Sequence, residues 1–271
     1  ARPSGRPAAP SARPSAGSCS PSGGGAHPAT TVARYTAEMR RLARISGALM
    51  IGGGVLTLAW ALLVWQWQDP FTAAYTQWQQ RGLAQSLDRQ FAAFRPFHVK
   101  TSDLAAERRQ IAVEATRFRS TARPGQAIGR IVVKRIGLNM VLVNGTDHET
   151  LKKGPGRDVR SFMPGQERLV YVAGHRTTYL APFSHIDAIR PGDEIRVEMP
   201  YASFIYRATK HRVVTATDLS VLRSPRHEVL ELQACHPRFF ATHRYIVYAK
   251  LASVSPRGGT PYPVSAVAAG P

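Results

Sequence analysis

The chain has 271 residues, with 36 Lys and Arg against 17 Asp and Glu, a formal net charge of +19. Such a balance invites a nucleic-acid partner. No helix-turn-helix, zinc-finger or aromatic RNA-binding pattern accompanies it, and the basic residues of the 125–253 region are dispersed, nineteen against eleven acidic. Nucleic-acid binding is therefore set aside in favour of a basic surface facing an anionic one.

Residues 1–44 are rich in Pro, Ser, Gly, Ala and Arg and carry seven basic residues against one Glu. So few large apolar side chains cannot offset the entropy of ordering, and a disordered basic leader is expected. Ile45 to Trp65 then runs twenty-one residues without a charge, long enough to cross a bilayer core. Arg34, Arg40, Arg41 and Arg44 precede it, while Trp60, Trp65 and Trp67 crowd its far end. This asymmetry predicts a transmembrane helix over 45–66 with the N-terminus inside and the rest outside. Ala59-Trp60-Ala61 could be read as a signal-peptide cleavage site, but the apolar run continues past it through Leu62-Leu63-Val64-Trp65. A buried helix of a soluble protein is the other alternative, against which stand the length and all-round apolarity.

Asp69-Pro70 opens a new element, with Pro suited to a first helical turn. Phe71, Tyr75, Trp78, Leu83, Leu87 and Phe91 recur at intervals of three to five residues, which predicts a juxtamembrane helix with an aromatic stripe. It would lie on the membrane, pack on the domain or bind a partner. Residues 67–124 as a whole are expected to be this helix and a linker with some helix.

Beyond Gly125 the pattern changes to short β-branched runs bounded by turn residues. Strands are expected at 127–133, 140–143, 169–173, 194–199, 203–208, 212–216, 229–233 and 245–251, with short helices at 148–152 and 184–188. Eight or so strands with brief helical insertions predict a closed or nearly closed β-barrel over 125–253. Residues 254–271, rich in Pro and Gly, are expected to be a disordered tail.

Only two cysteines are present, Cys19 in the leader and Cys235 in the barrel. A membrane between them would leave Cys235 a lone thiol in an exported domain, which calls for a chemical explanation. Cys235 follows the strand Val-Leu-Glu-Leu-Gln-Ala, Arg244 opens the next strand, and His175 follows Leu-Val-Tyr-Val-Ala-Gly. An imidazole and a cation favour the thiolate and can move its proton. A guanidinium can stabilise charge developing on a carbonyl oxygen. The trio is a candidate acyl-transfer site. A buried structural Cys, a structural His and a surface Arg are the bland alternatives. Metal binding by Cys235 and His236 lacks a second cysteine or a regular His spacing.

Ala-Gly-His-Arg-Thr-Thr-Tyr (173–179), Ala-Pro-Phe (181–183) and Cys-His-Pro-Arg-Phe (235–239), with Arg244 nine residues past the Cys, resemble the sortase family, most closely its class E. Ile-Gly-Arg-Ile (128–131), Ile-Gly-Leu (136–138), Lys-Gly-Pro-Gly (153–156), Arg-Pro-Gly-Asp (190–193) and Ser-Val-Leu-Arg (220–223) support the likeness in the expected order. The resemblance implies a mainly β fold: an eight-stranded sortase-type barrel with short helices, behind a single transmembrane helix and a juxtamembrane helix. It implies a single-pass type II protein of the cell membrane with its catalytic domain outside. Cys235 would attack an LAxTG- or LPxTG-like sorting signal of a secreted protein between Thr and Gly, and a peptidoglycan amine would resolve the thioacyl enzyme. His175 would move the protons and Arg244 would hold the carbonyl, with Tyr179, Thr177 and His236 as substrate contacts. No metal or other cofactor is implied. Two departures stand out: Glu231-Leu-Gln-Ala234 replaces the usual Thr-Leu-x-Thr before the Cys, and Leu180 replaces a usual Gly. Rival readings are a pilin-polymerising or class D-type sortase and a catalytically weak peptide-binding barrel.

Overall fold

The computed structural model describes residues 28–66, 70–96 and 103–264. Helix α1 runs Pro28–Gln66, and its Tyr35–Leu63 stretch is long and apolar enough to cross a membrane. The expected disorder up to residue 44 is corrected here, because the helix starts at Pro28. Pro suits a first turn, and Ala37-Glu-Met-Arg-Arg-Leu-Ala-Arg44 consists of strong helix formers that carry the helix through the basic segment. Residues 1–27, including Cys19, and residues 67–69, including Trp67, lie outside the described residues.

Helix α2, Pro70–Ala93, begins the second unit's packed structure. Its predicted stripe divides into two faces. Leu87 packs with Ala127 and Val141, joined by Leu83 and Phe91. Phe71, Tyr75 and Trp78 point away, 75%, 40% and 68% exposed. At 100° per residue the first three aromatics lie roughly 80–180° around the helix from Leu83 and Leu87, so the irregular spacing encoded two surfaces. Side-chain amides and hydroxyls complete the docking. Thr76 Oγ1 donates to Lys152 O (2.8 Å), and Gln90 Nε2 donates to Ala127 O (3.0 Å). Gln80 accepts from Val141 N (2.7 Å) and donates to Val141 O (3.1 Å) and Lys153 O (2.7 Å). The linker expected after α2 contains α3, Leu104–Thr121, capped by Asp103, which buries Ile111 and Ala115 in the barrel core.

The strands are β1 Ala127–Val133, β2 Leu138–Asn144, β3 Gly156–Arg157, β4 Leu169–Ala173, β5 Glu194–Glu198, β6 Ala202–Thr215, β7 Val229–His236, β8 His243–Pro256 and β9 Tyr262–Pro263. Their order is β6-β5-β1-β2-β3-β4-β7-β8-β9, and β8 also pairs with β6, which closes the first eight into a barrel. Helix α4 is the short turn His148–Leu151. The two strands expected at 203–208 and 212–216 are one, β6, whose polar stretch stays paired with β8 through register shifts near Ile205 and Ala208. The two-residue β3 was not expected. It is held by Arg157, whose buried guanidinium donates to Asn144 Oδ1 from Nε (3.1 Å) and Nη2 (2.6 Å) and to Ser161 O from Nη1 (2.6 Å). Burial lowers its pKa to about 10. The barrel also runs past its expected end at 253. β8 reaches Pro256, and β9 pairs with Ser253 and Val254 while burying Tyr262, so the expected disordered tail is ordered to residue 264.

Strand β2 meets β3 only at Val143 and Asn144, so Val141 lacks a strand partner on that edge and takes the Gln80 amide instead. Replacing Gln80→Ala leaves a buried N–H and C=O unpaired and should cost about 1–3 kcal/mol. The exposed neighbour Gln85→Ala should stay within about 0.5 kcal/mol of wild type in urea midpoints measured in detergent micelles.

Candidate active site

Strands β4 and β7 are parallel, in register from Leu169↔Val229 to Ala173↔Gln233. Gly174 N extends the ladder by donating to Gln233 O (3.0 Å). Both strands therefore end at the same mouth of the barrel, with His175 two residues past the end of β4 and Cys235 next to last on β7. Strand β8 runs antiparallel to β7 and pairs Arg244 directly with Cys235. Leu230, Leu232 and Ala234 point into the core. By alternation Glu231, Gln233 and Cys235 point outward. Cys235 is a half-buried free thiol on the outer surface.

Each member has a distinct setting. A Cβ at Gly174 would meet the Phe183 ring at 2.7 and 2.9 Å and Pro182 Cγ at 3.0 Å, so only glycine lets the 181–183 segment tuck beneath the His175 turn. Phe183 N donates to His175 O (3.1 Å). The His175 Nε2 is buried without a hydrogen-bond partner among the described residues, and its ring lies 5.0 Å from that of Tyr179. Burial, and less so the charge of His148, holds this imidazole below the ordinary histidine range, which keeps it neutral at pH 7. Arg244 Nη1 donates to Ala241 O (2.8 Å) and His243 O (2.9 Å), tying the guanidinium to the β7–β8 turn.

Of the three expected substrate contacts, Tyr179 and Thr177 lie half-buried on the loop after His175. Tyr179, Leu180 and Ala181 all adopt left-handed backbone, φ 54°, 59° and 36°. Tyr179 N donates to Thr72 Oγ1 of α2 (3.1 Å), which anchors this strained run. His236 instead packs into the support of the site. Its Nδ1 lies 2.9 Å from Arg176 Nη1, and its ring is 5.8 Å from Tyr245.

Arg176 is the residue that motif reasoning passed over. Its buried guanidinium donates to Cys235 O (3.3 Å), pairs with Asp187 (2.8 Å) and lies over the Tyr245 ring. It stands beside His175, so one turn supplies the imidazole and grips the backbone of the thiol. A charged residue inside the 173–179 motif was the available signal, but nothing local said that it turns inward. Glu231, also outward on β7, is buried, its Oε2 has no hydrogen-bond partner among the described residues, and burial pushes its carboxyl up to about 7. Among the described residues, no group of three or more His, Cys, Asp or Glu could hold a metal.

A thiol, a neutral imidazole and a guanidinium at one mouth of a closed eight-stranded barrel form a set suited to acyl transfer. The sequence model of the Sortase domain matches residues 131–252. Sortase D of Bacillus subtilis is 32% identical over 130 residues, covering 46% of this chain and 64% of that protein. Sortase SrtE1 of Streptomyces coelicolor is 24% identical over 176 residues, covering 59% of this chain and 50% of that protein. The Sortase D5 transpeptidase of Clostridium perfringens shares the fold with a TM-score of 0.51, at 23% identity over 64% of this chain and 98% of that one. Residues 131–252 are thus similar to the sortase family, and the chain spans between 50% and 64% of the length of these curated relatives.

The depressed His175 pKa has a definite sign in stability. Between its folded value and about 6.5, the unfolded chain binds a proton that the folded chain refuses. This contribution is full above about pH 6.5, is lost as the pH falls through that value, and levels off below the folded value. Subtracting the pH–stability curve of His175→Gln from that of wild type should isolate this step. A flat difference between about pH 4 and 8 would show that the imidazole titrates normally.

Proposed function

We propose that this chain is a membrane-anchored cysteine transpeptidase. It cleaves an LAxTG- or LPxTG-like C-terminal sorting signal between Thr and Gly and passes the acyl group to a peptidoglycan amine. The observation that carries this reading is the pairing of Cys235 with Arg244 at the mouth where β4 delivers His175.

Neutral His175 takes the thiol proton as Cys235 Sγ attacks the Thr carbonyl carbon. Arg244 donates to the oxygen as negative charge develops, using N–H groups beyond the Nη1 that binds the turn. The imidazolium returns its proton to the leaving glycine amine and leaves a thioester on Cys235. The incoming amine then attacks the thioester, His175 accepts the amine's proton, and the thiol is restored on release of the new amide. Arg176 acts as a positioning residue through its hold on Cys235 O. Tyr179 and Thr177, on the loop following His175, are the substrate contacts.

The apolar α1 supports anchoring, with basic residues before its apolar stretch and Trp60 toward its end. In this reading the N-terminus is cytoplasmic, the catalytic unit extracellular, and the clients are secreted proteins. The 173–183 and 235–239 motifs favour class E, whereas the 32% identity to sortase D favours a class D-type preference. The choice between LAxTG and LPxTG peptides separates the two.

The full chain in proteoliposomes should cleave a fluorogenic sorting peptide and ligate it to an added amine. Cys235→Ala should abolish both reactions, and Arg244→Lys should lower kcat/KM by about 10²–10³ while leaving the fold intact. No turnover of either peptide, together with no covalent adduct at Cys235, would leave a peptide-binding barrel.

A further inference from the structure

The outward face of α2 is the feature that the catalytic reading does not use. Phe71, Tyr75 and Trp78 fall at the i, i+4 and i+7 positions, within about 60° of one another around the helix. They are 75%, 40% and 68% exposed, and the rings of Tyr75 and Trp78 lie 6.4 Å apart. The opposite face is committed to the barrel through Thr76, Gln80, Leu83 and Leu87, so α2 cannot roll to bury its aromatics against the domain. Gln66 ends α1 and Pro70 starts α2, a separation of four chain steps that reaches at most about 14 Å. The first turns of α2 are thereby tethered close to the end of the apolar helix. Arg81 and Arg89 are exposed further along α2.

We propose that the Phe71–Tyr75–Trp78 face seats in the headgroup region of the lipid bilayer, as a second membrane contact beyond the span. Indole, phenol and phenyl rings favour that boundary, and exposed arginines suit anionic lipid phosphates. The contact has a consequence for the site. Thr72, beside Phe71, receives the Tyr179 N–H, and Tyr179 rests against the His175 ring. The turn that enters the interface is thus the turn that supports the catalytic loop, so the His175 mouth is held at the membrane surface, facing peptides displayed there.

This inference rests on reading α1 as a span, and the test keeps the two separable. The chain has four tryptophans. Trp60→Phe, Trp65→Phe and Trp67→Phe together leave Trp78 alone. Trp65→Phe, Trp67→Phe and Trp78→Phe leave Trp60. Both full-length variants are reconstituted in phosphatidylcholine vesicles containing phosphatidylglycerol, with lipids brominated either near the headgroup or deep in the chain. Trp78 should show blue-shifted emission, quenching by the shallow bromolipid several-fold stronger than by the deep one, and protection from aqueous iodide. Quenching of Trp78 by iodide and not by bromolipid, while Trp60 responds to either bromolipid, overturns the inference and leaves the span standing. Protection of Trp78 that depends on protein-to-lipid ratio without bromolipid quenching assigns the face to a second copy and overturns it equally. If Trp60 too escapes bromolipid quenching, the span reading fails and this inference fails with it.

Discussion

The parallel ladder between β4 and β7 is the constraint on which the site depends. In a parallel pair the two C-terminal ends coincide, so a residue just past β4 must meet the end of β7. Had the same strands paired antiparallel, His175 and Cys235 would stand a strand length apart, with all their local chemistry unchanged. Barrel closure through β6 and β8 then places β8 antiparallel on the far side of β7 and sets Arg244 opposite Cys235. Three residues separated by as much as sixty-nine positions in sequence become neighbours through backbone hydrogen bonds alone.

The alternation of β7 gives different meanings to the two departures before Cys235. Ala234 faces the core and is fully buried, so a small apolar residue there is a matter of packing. Glu231 lies on the outer face with Cys235, and its carboxyl is pushed up to about 7 by burial against a weaker opposing pull from Arg212 and Lys210. The first change leaves the outer surface untouched, whereas the second alters the face of β7 that carries Cys235. Leu180 has a similar duality. At φ 59° it occupies a left-handed position that glycine would fill without strain. In return its side chain packs on the core cluster, which offsets part of a cost of about 1–2 kcal/mol.

Strand existence was legible wherever β-branched runs were long and bounded by turn residues, as at 127–133 and 169–173. The expected number of barrel strands agrees with the structure through two compensating differences. Polar Thr209-Lys-His-Arg212 interrupts the β-branched pattern, but Lys210, His211 and Arg212 stay paired with β8 beyond an irregularity at Thr209. Gly156–Arg157 is too short to carry any periodicity and is a strand only because Val143 and Ala173 lie on either side. The tail was misread for a related reason, since β9 has no strand signature of its own and is ordered by burial of Tyr262.

What the sequence by itself determined is the apolar length of α1, the local β propensities, and the placing of a thiol, an imidazole and a guanidinium at strand ends. These depend on nearest-neighbour chemistry and short-range spacing, which a one-dimensional pattern records. Tertiary structure alone decided that Arg176 turns inward to hold the backbone of Cys235, and that Gln80 stands in for a missing strand. It also decided that α2 commits its Leu83–Leu87 face to the barrel and leaves Phe71, Tyr75 and Trp78 outside. Each of these depends on a partner more than fifty residues away, whose position exists only once the barrel has closed.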